Sequence, residues 1–214
     1  MITVWGRSNS LNVQKVMWLI AELGLEHQRV DVGGSFGGLD SPEFLKMNPN
    51  GRIPVIDDDG IVIWESHTIL RYLSAHYGAG LFWPDNPAER SFTDRWMDWS
   101  LATLQPAFMD LFWGYYRTPE NQRNWPFIRD AMERCARLYQ LLDRHLAGRK
   151  YVAGEHLALG DIPAGTSLYR YFSLEIERPK LPNVEPWYRR LSERDAYREH
   201  VMVLFEELRA RLAY

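Results

Sequence analysis

Asn50-Gly51-Arg52-Ile53-Pro54-Val55-Ile56-Asp57-Asp58-Asp59-Gly60-Ile61-Val62-Ile63-Trp64-Glu65-Ser66 is the stretch on which the fold turns. Residues 54–57 and 61–63 are short apolar runs separated by Asp58-Asp59-Gly60, the composition of a hairpin turn, so they read as paired strands. Beyond Glu65-Ser66, the residues Ile69, Leu70, Tyr72 and Leu73 repeat at helical spacing as far as Tyr77.

Working toward the N-terminus, residues 42–46 read as a short helix, and Gly33-Gly34 and Gly37-Gly38 as a flexible loop. Residues 28–32 alternate as a strand. Val13, Val16, Met17, Ile20 and Leu23 keep a helical period that Gly24 stops. Ile2 to Trp5 is an apolar strand closed by Gly6, which makes the order βαβαββα. Working toward the C-terminus, Gly78, Gly80, Pro84 and Pro87 punctuate a linker, and only helical patterns follow. Helices are expected over 88–116 with a kink at Pro106, and over 126–146, 161–171, 186–191 and 195–212. The predicted organisation is an α/β domain over residues 1–78, a linker over 79–87 and an all-α domain over 88–214.

Composition narrows the function classes. With 46% hydrophobic residues in 214, the chain buries a substantial core. A formal charge of −3 implies no electropositive surface, so neither nucleic acid nor an anionic membrane is an expected partner. No apolar run approaches the roughly 18–20 residues that span a bilayer. The single Cys135 and the opening Met1-Ile2-Thr3-Val4-Trp5, without a basic-then-apolar layout, lead us to expect a reducing, cytoplasmic setting. The six histidines show neither metal-ligand spacing nor a triad, so no metal is expected.

The chemistry concentrates between the first strand and first helix, at Arg7-Ser8-Asn9-Ser10-Leu11-Asn12. Unpaired N–H groups and the helix dipole favour an anion there. A hydroxyl from Ser10 donating to a sulfur would help hold a thiolate, each unit of lowered thiol pKa needing about 1.4 kcal/mol. The alternative is that Ser10 or Asn12 simply caps the helix. Pro54 likewise reads alone as a strand-edge proline, and Glu65-Ser66 as an ordinary helix start.

Taken together, the Ser-rich loop, Ile53-Pro54-Val55 and Glu65-Ser66, with an all-α half behind them, resemble the cytosolic glutathione transferases of the serine-using theta, delta and zeta classes or the bacterial nu-like group. The resemblance implies a thioredoxin-like N-terminal domain and a cis Pro54. It also implies glutathione as co-substrate: Ile53 would hold the cysteinyl backbone, Glu65 the γ-glutamyl amine and Ser66 its carboxylate. Ser10 would activate the thiol, with Ser8 in reserve and Asn12 assisting, and Arg52 is the candidate for the glycine carboxylate. Cys135 lies in the second half, which disfavours chemistry through a protein thiol. Ala158 stands where the family has a Ser or Thr, leaving Asp161 to cap the following helix by itself.

The same resemblance assigns the apolar co-substrate to aromatics of the second domain, chiefly Phe108, Phe112, Trp113 and Tyr116, with Tyr115, Trp125 and Tyr171 nearby in the pattern. It implies a homodimer in which the helix from Ala88, carrying Trp96 and Trp99, faces a partner. The implied activity is conjugation of glutathione to an electrophilic small molecule. Two alternatives share the residues: a glutathione-dependent disulfide or peroxide reductase without a protein cysteine, and a non-catalytic binding module.

Overall fold

The computed structural model describes residues 1–212. Its elements are β1 (Ile2–Trp5), α1 (Leu11–Glu22), β2 (His27–Val30), α2 (Pro42–Met47), β3 (Val55–Asp58), β4 (Ile61–Trp64), α3 (Ser66–Tyr77), α4 (Pro87–Trp99), α5 (Gln105–Leu111), α6 (Trp125–Leu146), α7 (Asp161–Ser173), α8 (Val184–Ser192) and α9 (Asp195–His200). The described residues form two compact units: Met1–Pro84 with Asp195–Val203, and Asp85–Arg194 with residues 204–212. The division falls within residues 79–87, where the linker is expected, and the first unit takes back a piece of the C-terminal sequence.

The first unit is a four-stranded mixed sheet in the order β2-β1-β3-β4, with β1 parallel to β2 and the other pairs antiparallel. The βαβαββα order read from the sequence is the order observed. The hairpin turn is tighter than expected: Asp58 pairs with Ile61, leaving only Asp59 (φ 48°) and Gly60 (φ 91°) to turn. Both sit in the left-handed region, which matches the twist of paired strands, and the Asp57 carboxylate accepts from Gly60 N at 2.6 Å. Asp58 is drawn inside because the hydroxyls of Tyr72 and Tyr77 on α3 donate to it.

Helix α1 is buried almost all round, with Val13, Val16, Leu19 and Ile20 fully inside. It packs on α3 and on α9, where the Trp18 and Tyr197 rings meet edge to face at 4.8 Å. Its end is a Schellman motif: Gly24, at φ 64°, donates to Ala21 O, and Leu25 N donates to Ile20 O.

The second unit is helical. Expected helix 88–116 is helical from Pro87 to Arg117, but not as one regular α-helix through Pro106. Ser100–Leu104 and Phe112–Arg117 instead wind as π-helix on either side of α5, and Gln105, just before Pro106, keeps a helical backbone. Widening the turn absorbs the donor that proline lacks. Asp161 does accept backbone N–H groups without help from position 158, but they lie ahead of α7 and not in its first turn: its carboxylate accepts from Ala158 N and Val152 N, and from Trp187 Nε1 of α8 at 3.0 Å.

The expected helix over 195–212 is a correction. Only Asp195–His200 is α-helical, followed by a short turn at Glu206–Leu208. The cause is that Tyr197 and Val201 bury in the first unit while Phe205 and Leu208 bury in the second, so a single straight helix cannot serve both sets.

Candidate active site

Strand register brings the singled-out residues of the first unit to one end of the sheet. Trp5 pairs with Val55, and Val55 with Trp64. The peptides just outside those pairs are therefore neighbours: the loop after Gly6, the Ile53-Pro54 step and Glu65-Ser66. The Ile53–Pro54 bond is cis, as the resemblance implies. Gly6 (φ 150°) lets the loop pass close, for a Cβ there would overlap Val13 Cγ2 and lie 3.3 Å from Ile53 Cβ.

Ser10 occupies the N-cap position of α1, with φ −85° and ψ 124°, yet its hydroxyl makes no capping bond. Its carbonyl accepts from Gln14 N at 2.9 Å, which begins the helix. The capping alternative therefore describes its backbone and not its side chain. Ser10 and Asn12 are half-buried, and Ser8 is exposed. The first-turn N–H groups have no acceptor within the helix, and no acidic residue occupies that turn.

Glu65 precedes α3 in the left-handed region (φ 68°) and is exposed, while Ser66 is the first helical residue and buried. Arg52 is exposed; its carbonyl accepts from the buried Asn48 Nδ2 at 2.8 Å, and Asn48 Oδ1 accepts from Asn50 N at 3.0 Å. Asn48 thus clips the loop that delivers Ile53.

Two residues that sequence reasoning passed over stand beneath this surface. Lys15 Nζ donates to Asn12 Oδ1 at 2.9 Å and lies 3.3 Å from His67 Nε2 on α3. Burial pushes the Lys15 ammonium down to about 7, against the pull of the Glu65 carboxylate. Burial, helped by the charges of Lys15 and Arg71, holds the His67 imidazole neutral at any ordinary pH. No signal in the sequence pairs residues so far apart, although a lysine in the middle of an apolar helix was a cue.

The four aromatics assigned to the apolar co-substrate behave differently from one another. Phe108, Phe112 and Tyr116 are buried and stack in sequence, with centroids 5.8 and 5.2 Å apart, and Phe205 packs on the last two. Trp113 is only half-buried, under the Arg117 guanidinium at 3.8 Å. Trp96, assigned to a partner-facing surface, is buried against Trp99 and His145. Among the described residues no cluster of His, Cys, Asp or Glu is arranged to hold a metal, and no helix is long and apolar enough to cross a membrane.

A thioredoxin-like unit with an uncommitted serine at a helix N-terminus, a cis-proline step and a buried Ser at a second helix start, followed by a helical unit, is the arrangement that the resemblance to the glutathione transferases implies. Residues 1–75 match the family "Glutathione S-transferase, N-terminal domain" and residues 104–195 "Glutathione S-transferase, C-terminal domain". The chain belongs to the glutathione S-transferase family. It is 40% identical over 205 residues to glutathione S-transferase GstB of Escherichia coli K12, covering 95% of this chain and 99% of that protein. It is 27% identical to glutathione S-transferase D6 of Drosophila melanogaster, over 87% of this chain and 85% of the relative. A crystal structure of the theta class glutathione S-transferase from Xanthomonas axonopodis pv. citri with glutathione bound superposes with a TM-score of 0.91 at 45% identity, over 95% of this chain and 98% of that one.

Proposed function

We propose that the protein transfers the glutathione thiolate to an electrophilic, largely apolar small molecule, with Ser10 as the activating residue. The observation that carries this reading is the Ser10 side chain: it stands at the start of α1 without serving as the helix cap. The γ-glutamyl amine takes Glu65 and the carboxylate takes Ser66 at the N-terminus of α3, a position suited to an anion. The cysteinyl backbone pairs with Ile53 ahead of the cis Pro54, and Arg52 takes the glycine carboxylate. The sulfur then faces the Ser10 hydroxyl and the first-turn N–H groups of α1, which stabilise the thiolate more than the thiol. The thiolate attacks an electrophilic carbon, the new C–S bond forms as the leaving group departs with its electron pair, and the thiol proton has already passed to solvent. Of the four aromatics assigned to the co-substrate, Trp113 is the ring with surface left to touch it, and Phe108, Phe112 and Tyr116 support it from the core.

The reading includes a homodimer and a cytoplasmic setting. Light scattering at the mass of one chain refutes the first, and fractionation checks the second. The central test is the ultraviolet absorbance of bound glutathione thiolate against pH for the wild type and Ser10→Ala. The expected wild-type thiol pKa lies at least one unit below that of the free thiol, near 8.5 for an ordinary cysteine, and Ser10→Ala returns it most of the way. Glutathione bound with an ordinary thiol pKa overturns the proposal.

A further inference from the structure

We infer that Lys15 is a positioning residue for the thiol site: seated on His67, it holds the Asn12 carboxamide by its carbonyl end so that the amide end serves the sulfur. This rests on the glutathione reading above and adds to it a residue of the α1 interior.

The geometry fixes the direction of the carboxamide. Lys15 Nζ carries N–H donors in either charge state, and it is Asn12 Oδ1 that accepts from it at 2.9 Å. The two ends of a planar carboxamide diverge, so Nδ2 turns away from the lysine. Asn12 stands in the first turn of α1, two residues past Ser10. Without Lys15, rotation about the last side-chain bond would exchange oxygen for nitrogen at little cost. An oxygen turned toward a thiolate repels it, whereas an N–H attracts it.

His67 fixes Lys15 in turn. The imidazole is held neutral, and Nε2, 3.3 Å from Nζ, is the nitrogen that faces the lysine. When Lys15 donates to it, the proton of the ring sits on Nδ1, and Nδ1 is buried with no hydrogen-bond partner. Burying an ammonium and an unsatisfied ring nitrogen costs stability that an apolar pair of the same volume would not. Packing α1 on α3 therefore does not account for the arrangement, while holding Asn12 does. The charged groups around the pair are Glu65 at the start of α3, which favours the ammonium, and Arg71 one turn further along α3, which disfavours a charged imidazole.

The experiment is the thiolate absorbance titration of bound glutathione in wild type, Lys15→Met, Asn12→Ala, the double variant and Asn12→Asp, with thermal melts alongside. Lys15→Met is expected to raise the bound-thiol pKa by at least half of the shift that Asn12→Ala causes, and the double variant to go no further than Asn12→Ala alone. Asn12→Asp keeps the acceptor for Lys15 and loses the N–H donor, so it is expected to melt no lower than wild type while its thiol pKa rises at least as far as in Asn12→Ala. Shifts that add in the double variant overturn the inference, as does a Lys15→Met protein with lowered melting and an unmoved thiol pKa. Should Lys15→Met not fold, a depressed thiol pKa retained in Asn12→Asp overturns it by itself. A wild type that binds glutathione without lowering its pKa is a different failure, that of the transferase reading.

Discussion

Replacing Asn48 by alanine tests whether the cis-proline loop is held in place for a ligand. Asn48 is 2% exposed and joins both sides of its loop, through Nδ2 to Arg52 O at 2.8 Å and through Oδ1 to Asn50 N at 3.0 Å. The backbone bond from Gly51 N to Asn48 O survives the substitution. With the bond from Asn50 Nδ2 to Asn48 Oδ1 at 3.1 Å, three neutral hydrogen bonds at about 0.5–1.5 kcal/mol each predict a loss of about 3 kcal/mol in stability, read as a lower urea midpoint at constant m-value. Binding suffers separately. If residues Arg52 and Ile53 are no longer fixed, glutathione must order roughly one residue's worth of backbone, at about 1–2 kcal/mol, which predicts a Kd weakened about tenfold in calorimetry. Asn48→Asp keeps the acceptor of two bonds and loses the donor of one, so it is expected to show about a third of the alanine variant's loss. A Kd that stays at the wild-type value while the midpoint falls would refute the reasoning, leaving Asn48 as a clip with no bearing on the ligand.

Gly6→Ala drives a methyl into Val13 Cγ2 at a φ that L-residues avoid, so we expect a loss of about 2–4 kcal/mol in melting experiments together with loss of glutathione binding. Asp161→Ala strands the N–H groups of Val152, Ala158 and Trp187 and is expected to destabilise by about 3–5 kcal/mol, with a melt within 1 kcal/mol of wild type counting against this account. Lys15 is charged in the unfolded chain up to its ordinary pKa of 10.5 but in the folded protein only up to about 7. The folded state therefore holds fewer protons between those values, and its stability rises with pH across that window by up to about 1.4 kcal/mol per unit. Urea midpoints at pH 7 and 9 are expected to rise more in wild type than in Lys15→Met, and parallel changes would count against it.

The sequence made the hairpin and α1 legible because both carry local chemistry: an Asp-Gly turn between apolar runs in one case, and an apolar period with a glycine stop in the other. The meeting of Ser10, Ile53-Pro54 and Glu65-Ser66 followed from a family resemblance, and the strand register supplies its physical basis. The π-helical windings were hidden, since Pro106 announces a missing donor without saying how the turn absorbs it. The C-terminal helix was overextended because Tyr197, Val201, Phe205 and Leu208 keep helical spacing while serving two different cores. Phe108, Phe112 and Tyr116 fall at i, i+4 and i+8, a stripe that describes a core as well as a binding face. Lys15 escaped notice because its burial depends on His67, which is brought beside it only by the packing of α3 on α1.

The return of α9 to the first unit has a consequence for synthesis and for engineering. When residues 1–84 have left the ribosome, the sheet and its three helices are complete in sequence, but the Trp18 face of α1 still lacks Tyr197. The first unit, although begun first, is therefore incomplete until residue 203 has been made, and the Trp18 face of α1 goes without its partner ring through more than a hundred further residues of translation. Chimaeras spliced at residue 84 inherit the same debt, because the graft that looks like a whole domain leaves behind the nine residues Asp195–Val203 that close it.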